Sequence, residues 1–348
     1  MSAPTKKAKA PPPPPRKIEW MDGGDMLRDA PQPIDWFLQD VLPLGTVGDV
    51  FSPPNAGKTT LLISLVLAVA GGRGTWFGHQ CVSGPVLILG GEKSSRAVWV
   101  RDLHRATGGE KYDIDQGRIV IAPSDLGPIL EWDQQQKEWV DGIGMDPVLR
   151  MAKDLRPVLI IIDTIGRGCA GQDPINIPQQ QALADRLEQF GRRLGGTLLT
   201  VSHTSQSSRS EDLYARLEYT ARAGSSGLPG HFRWLLGMTR LKPEEAADRL
   251  GVNKKDEEAM EDLAYRNIVA AAVSKPSEMP HPPRGWSLRN PALFEILQDG
   301  QMVRLDDEEA PTKRELKTVA RGAREYAKAS QAMEPADDNQ GWTNVSPF

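Results

Sequence analysis

The stretch Ser52-Pro53-Pro54-Asn55-Ala56-Gly57-Lys58-Thr59 lies between a strand-like run at 47–51 and an apolar helical pattern at 59–70. A strand, a turn ending in Gly-Lys-Thr and a helix form the setting of a phosphate-binding loop. Backbone amides at the start of such a helix point at an anion, and the helix dipole favours negative charge there. Asn55, Ala56, Gly57, Lys58, Thr59 and Thr60 are the expected contacts. Lys58 is expected to reach the β- and γ-phosphates of ATP, and the Thr59 hydroxyl to coordinate Mg²⁺. The first position departs from the common pattern, with Ser52 where glycine is usual. Pro53 and Pro54 lack amide protons, so the donors come from the later residues.

Outward from this stretch, short apolar runs alternate with helical patterns. Strands are predicted at 85–89, 118–122, 158–162 and 197–201, and helices at 96–105 and 179–194. The run at 158–162, Val-Leu-Ile-Ile-Ile, is continuously apolar, as a strand buried on both faces should be. Strands separated by helices imply βαβ units, hence an α/β fold with a mostly parallel sheet. Further strands at 233–238 and 268–273 are expected to be antiparallel, at the sheet edge.

Carboxylates at strand ends fall over the crevice where open α/β sheets bind ligands. Asp163 follows the apolar run and is expected to hold the metal ion through water. Glu92 follows 86–91 at the same edge, where a base could polarise the attacking water. The competing account is an acid stabilised by a helix N-terminus. His203 and Thr204 end the last parallel strand, either as a γ-phosphate sensor or with His203 as an ordinary hydrogen-bonded histidine. The segment 205–224 carries Arg209, Arg216 and Arg222, which suits a loop lining a nucleic-acid channel or a solvated surface loop. Arg233 opens a strand, either as an arginine reaching a neighbouring subunit's phosphates or in an internal ion pair. Arg240 and Lys275 are weaker candidates for that role.

Residues 1–17 carry five lysines and arginines, no acid and five consecutive prolines, so 1–25 reads as a disordered basic tail. The stretch 333–348 is acidic and turn-rich and reads as a second tail. Between them, 26–300 is expected to be one ATPase domain, with a helical extension at 301–332. No apolar run of membrane-spanning length occurs, and no apolar leader opens the chain. Two cysteines, Cys81 and Cys169, build no zinc site and fit a reducing cytoplasm. With 42 basic and 46 acidic residues the net charge is −4, so overall charge gives no pointer to nucleic acid.

The order of motifs resembles the plasmid RepA-type hexameric helicases and related plasmid and phage AAA-type ATPases of the RecA-like superfamily. The resemblance runs from about 34 to 294, through 35–43, 45–62, 75–78, 85–92, 158–166, 197–204 and 224–234. It implies a homo-oligomeric ring, usually hexameric, with ATP between neighbours and single-stranded DNA in the central channel. It assigns Lys58 and Thr59 to phosphate and metal, Glu92 to the catalytic base and Asp163 to the magnesium-holding acid. It further assigns His203 to the γ-phosphate sensor and Arg233 to the arginine that crosses the interface. The expected activity is an ATP-driven motor on single-stranded DNA in plasmid or phage replication, its tails contacting replication proteins. The alternatives are an ATP-gated DNA-binding or loading protein, and a regulatory ATPase that does not touch DNA.

Overall fold

The computed structural model describes residues 34–89, 96–107, 118–205, 212–224, 227–276 and 286–305. By its contacts the chain divides into Met1–Ile34 and Asp35–Phe348, and every element described here belongs to the second unit.

The main sheet contains β1 (Val47–Ser52), β2 (Val86–Leu89), β3 (Ile119–Ile121), β4 (Leu159–Asp163) and β5 (Thr197–His203). It continues with β6 (Trp234–Arg240), β7 (Ile268–Pro276), β8 (Ala292–Ile296) and β9 (Met302–Arg304). The spatial order is β9-β8-β7-β6-β1-β5-β4-β2-β3. From β6 to β3 every pairing is parallel. From β6 to β9 every pairing is antiparallel. β1 is therefore flanked by β5 and β6, strands that follow it by far in sequence, and the chain reverses its direction of travel across the sheet there. Ligands of such sheets bind at the carboxyl ends of the strands, at this switch point.

The expected edge position for 233–238 is corrected by this pairing. β6 lies inside the sheet, parallel to β1, and the antiparallel part begins only with β7. The link from β5 to β6 includes the helical turns Leu213–Leu217 and Gly227–His231. It is a crossover long enough to return the chain in the same direction. β9 also lies beyond the expected boundary at 300, so the start of the anticipated helical extension is sheet. The rest of that extension, and both expected tails, lie outside the described residues.

Helices α1 (Lys58–Ala70), α2 (Arg96–Ala106), α3 (Met145–Leu155), α4 (Ile177–Leu194), α5 (Pro243–Leu250) and α6 (Glu257–Tyr265) cover the sheet. Alternation along β4 sends Leu159 and Ile161 into the cluster with α1, and Ile160 and Ile162 into the cluster with α3 and α4. The continuous apolar run is thus explained by burial on both faces. α4 starts two residues earlier than its apolar pattern suggests. The Asn176 side chain accepts from Gln179 N–H at 3.1 Å, and Pro178 occupies the first turn, where its missing N–H costs nothing.

A small sheet of Leu130–Asp133, Glu138–Asp141 and Cys169–Ala170 stands beside α4. Its hairpin is held by Asp133, which accepts from Gln135 N–H at 2.7 Å and Gln136 N–H at 3.0 Å. Hydrogen bonds from Gln136 and Gln135 keep that carboxyl below the usual aspartate range. No described helix is long and apolar enough to cross a membrane.

Candidate functional site

β1 ends at Ser52, and the chain turns through 53–57 into α1. Two residues of the turn take positive φ, Asn55 at 62° and Gly57 at 85°. Asparagine tolerates that region, whereas at Gly57 a side chain would be strained and would also collide with Ile296. The N-terminus of α1 has no side-chain cap and no acid in its first turn. Its amides are therefore oriented for an anion without a competing carboxylate.

Lys58 is buried, and its Nζ donates to Ser52 Oγ at 2.8 Å, Ser52 O at 3.1 Å and Pro53 O at 3.3 Å. Ser52 Oγ in turn donates to Pro53 O at 2.7 Å. This accounts for the serine that replaces the usual glycine: its hydroxyl holds the lysine ammonium within the loop. His203 stands level with Ser52 in the β5–β1 register, its Nδ1 3.4 Å from Lys58 Nζ. Thr204 N–H donates to Ser52 O at 3.1 Å, tying the end of β5 to the loop.

Asp163 closes β4 on the far side of β5 and is 5% exposed. Lys58, Thr59, Thr60, Asp163 and His203 line one cleft of about 510 Å³. Asn55 and Gly57 also line it, while Ala56 is buried beneath the turn. Thr59 and Asp163 supply a hydroxyl and a carboxylate, the hard oxygen donors that suit Mg²⁺.

The opposite wall was not read from the sequence. α2 contributes Arg101, Asp102 and Arg105, and the far end of the sheet contributes Asn267, Ile296 and Gly300. β7 starts, and β8 ends, at the same sheet edge as the phosphate loop, because both run in the antiparallel part. Ile296 N–H donates to Asn267 O at 3.0 Å, and a tight turn brings Gly300 N–H to Leu297 O at 2.9 Å. Gly300 packs against Arg105, so this turn rests on α2.

The Arg266 guanidinium grips Glu295 through Nε at 2.9 Å and Nη2 at 2.5 Å, a fork that pins this wall. Burial lowers the Arg266 pKa, but the Glu295 bonds and charge, with Asp262, outweigh it and hold it above the ordinary value. Arg101 is raised by its hydrogen bond to Asp102 at 2.8 Å and by that charge.

Other expectations fare differently. Glu92 and Arg209 lie outside the described residues. Arg233 is exposed just ahead of β6, its N–H on Val47 O at 3.2 Å. That puts it at the amino end of the sheet, across from the cleft of its own subunit. Arg240, at the carboxyl end of β6, is exposed on the cleft's edge of the sheet, and Lys275 is at the other end of β7.

Arg216 and Arg222 do not line a channel. Arg216 is buried and donates to Glu245, and Arg222 is buried against Asp49. The sequence signal for these pairs was weak, since the partners lie 29 and 173 residues away. Burial pushes the thiols up, Cys81 to about 11 and Cys169 to about 12.

A family profile, described as AAA domain, matches residues 9–209, more than half of the chain. Among solved structures, the chain is similar to the ATPase domain of a replicative helicase at 12% identity and a TM-score of 0.50. That match covers 75% of this chain and 85% of the other. A RadB recombinase is matched at 14% identity and a TM-score of 0.41, covering 74% of this chain and 89% of the recombinase. A KaiC-like protein from the archaeon Pyrococcus horikoshii OT3 is matched at 15% and 0.43, covering 77% and 93%. The first of these supports the RecA-like P-loop fold that the strand order displays. The chain belongs to the AAA domain family.

Proposed function

Proceeding from that membership, we propose that the chain is an ATP-hydrolysing, ring-forming motor acting on single-stranded DNA, of the RepA-type helicase kind. The observation that carries the ATPase reading is the convergence of Lys58, Thr59, Asp163 and His203 on one cleft at the sheet's switch point.

The strand order sets the direction of the nucleotide. Asp163 and His203 lie on the β5–β4 side of the loop, so the γ-phosphate belongs there. The nucleoside then extends the other way, between Arg105 and the wall of Asn267, Ile296 and Gly300. Lys58 exchanges its bonds to Ser52 and Pro53 for phosphate oxygens, a small movement because the ammonium is already at the loop. Mg²⁺, held by Thr59 and through water by Asp163, neutralises charge on the β- and γ-oxygens when bound. Glu92 takes the proton of the attacking water as its oxygen bonds to the γ-phosphorus, and ADP leaves with the bridging oxygen. His203 and Thr204 sense the loss of the γ-phosphate and report it to the segment that follows β5. Arg233, at the other end of the sheet, serves a neighbouring subunit in a hexameric ring, and replication proteins engage the two tails in the cytoplasm.

A second reading is favoured by the burial of Arg216 and Arg222. With those cations consumed by ion pairs, 205–224 offers DNA less charge than a translocating channel would use. This suits an ATP-gated loader that hydrolyses about once per binding event. Turnover of the purified protein with and without single-stranded DNA, with Lys58→Ala as the blank, decides between them. Strong stimulation supports the motor, ATP-dependent DNA binding with unstimulated turnover supports the loader, and no DNA affinity at low salt removes both.

A further inference from the structure

Asp49 sits in β1, three residues ahead of Ser52, and is fully buried on the sheet face shared by Phe51, Leu198 and Leu235. A carboxylate in that setting is costly unless each oxygen is met. Thr200 Oγ1 donates to its Oδ1 at 2.6 Å, and Ser202 Oγ donates to its Oδ2 at 2.5 Å. The Arg222 Nε donates to Oδ2 at 2.8 Å, with the arginine side chain 4% exposed. Every partner therefore comes from β5 or from the segment that leaves it. Thr200 and Ser202 alternate along β5 on the face turned to Asp49.

The same segment is stitched to the end of β5 through its backbone. Ser205 N–H donates to Ala221 O at 2.9 Å, and Ala223 N–H donates to His203 O at 2.8 Å. Thr204 and Arg222 form an antiparallel bridge. The segment thus leaves and returns beside His203, whose ring is 3.4 Å from the Lys58 ammonium. Strand packing does not require an ion pair here, because apolar residues of similar volume stabilise such a site equally well or better. What the pair adds is direction: a guanidinium fixed to one carboxylate oxygen sets where 212–224 stands against the phosphate-loop strand.

We infer that Arg222 is a positioning residue. Through Asp49 and the bonds at 203–205, it makes the placement of 212–224 depend on what occupies the phosphate loop. The inference rests on the reading of the cleft as a nucleotide site. Neither Asp49 nor Arg222 lines the cleft, so substitution of Arg222 should spare nucleotide contacts while severing the link.

Amide hydrogen exchange across 212–224, with and without ATPγS and Mg²⁺, tests it, alongside the dissociation constant of ATPγS and thermal unfolding. In the unaltered protein the nucleotide should slow exchange there by about tenfold, in the usual range of coupling between sites. Arg222→Met should bind ATPγS within about threefold of the unaltered protein yet lose that protection, a pattern that general loss of structure does not give. Should Arg222→Met fail to fold, Ser202→Ala removes one bond to Asp49 and leaves the ion pair, and should weaken the protection in part. Full protection in either folded variant, or none in the unaltered protein despite bound nucleotide, overturns the inference. Failure of the unaltered protein to bind ATPγS at all overturns the nucleotide reading instead.

Discussion

The phosphate wall of the cleft takes Asn55, Gly57, Lys58, Thr59 and Thr60 from one unbroken stretch of chain. The facing wall takes Arg101 and Arg105 from α2, Asn267 from the start of β7, and Ile296 and Gly300 from the turn after β8. The first is stabilised by local bonds, such as those from Lys58 to Ser52 and Pro53. The second holds together only because the Arg266–Glu295 fork and the Gly300–Arg105 contact join distant segments. Local construction suits a task that every nucleoside triphosphate shares, and assembled construction suits the part that differs among them. In the mechanism proposed, the phosphate wall should govern the chemical step and the facing wall the binding of the nucleoside.

The largest effect should come from Lys58→Ala. Steady-state turnover is expected to fall on the order of 10³-fold, because a cation aimed at the transferring phosphoryl group is removed. Asp163→Asn should lower kcat on the order of 10²-fold, with Mg²⁺ dependence shifted to higher concentration. Comparable turnover in either variant would break the assignment of the chemistry to this wall.

On the facing wall, Glu295→Gln should leave the Arg266 charge with a weaker partner and destabilise the fold by about 2 kcal/mol in urea unfolding. Its kcat at saturating ATP should be unchanged. Asn267→Ala should raise KM about fivefold with kcat unaltered, the cost of one hydrogen bond to the base of about 1 kcal/mol. A fall in kcat instead would erase the division of labour between the walls.

The smallest effect concerns the thiols. With Cys81 near 11 and Cys169 near 12, both are protonated at about pH 8, and an alkylating reagent should react with them only after unfolding. The folded pKa values lie above the ordinary value of 9.0, so the folded state holds these protons longer. Their contribution to stability is complete below about pH 9 and is lost as pH rises toward 12.

The regions that were hard to read share a physical cause. The Leu130–Asp133 and Glu138–Asp141 strands are short and rich in charge, so alternation had no room to show. β6 was read correctly as a strand but assigned to the wrong place, because pairing direction depends on the path between β5 and β6, not on its own residues. Arg216 and Arg222 read as solvent-facing cations because nothing near them in sequence shows that Glu245 and Asp49 come to meet them.

Sequence by itself determined the phosphate loop, the strand–helix alternation, the burial of β4 and the placing of Asp163 and His203 at strand ends. Those features rest on residues within a turn or a strand of one another, where periodicity, glycine and the helix dipole act directly. Only the tertiary structure decided that β6 lies beside β1, that Asn267 and Gly300 complete the cleft, and that Asp49 holds Arg222. Each of those depends on contacts between segments distant along the chain, made when the sheet closes its order around β1.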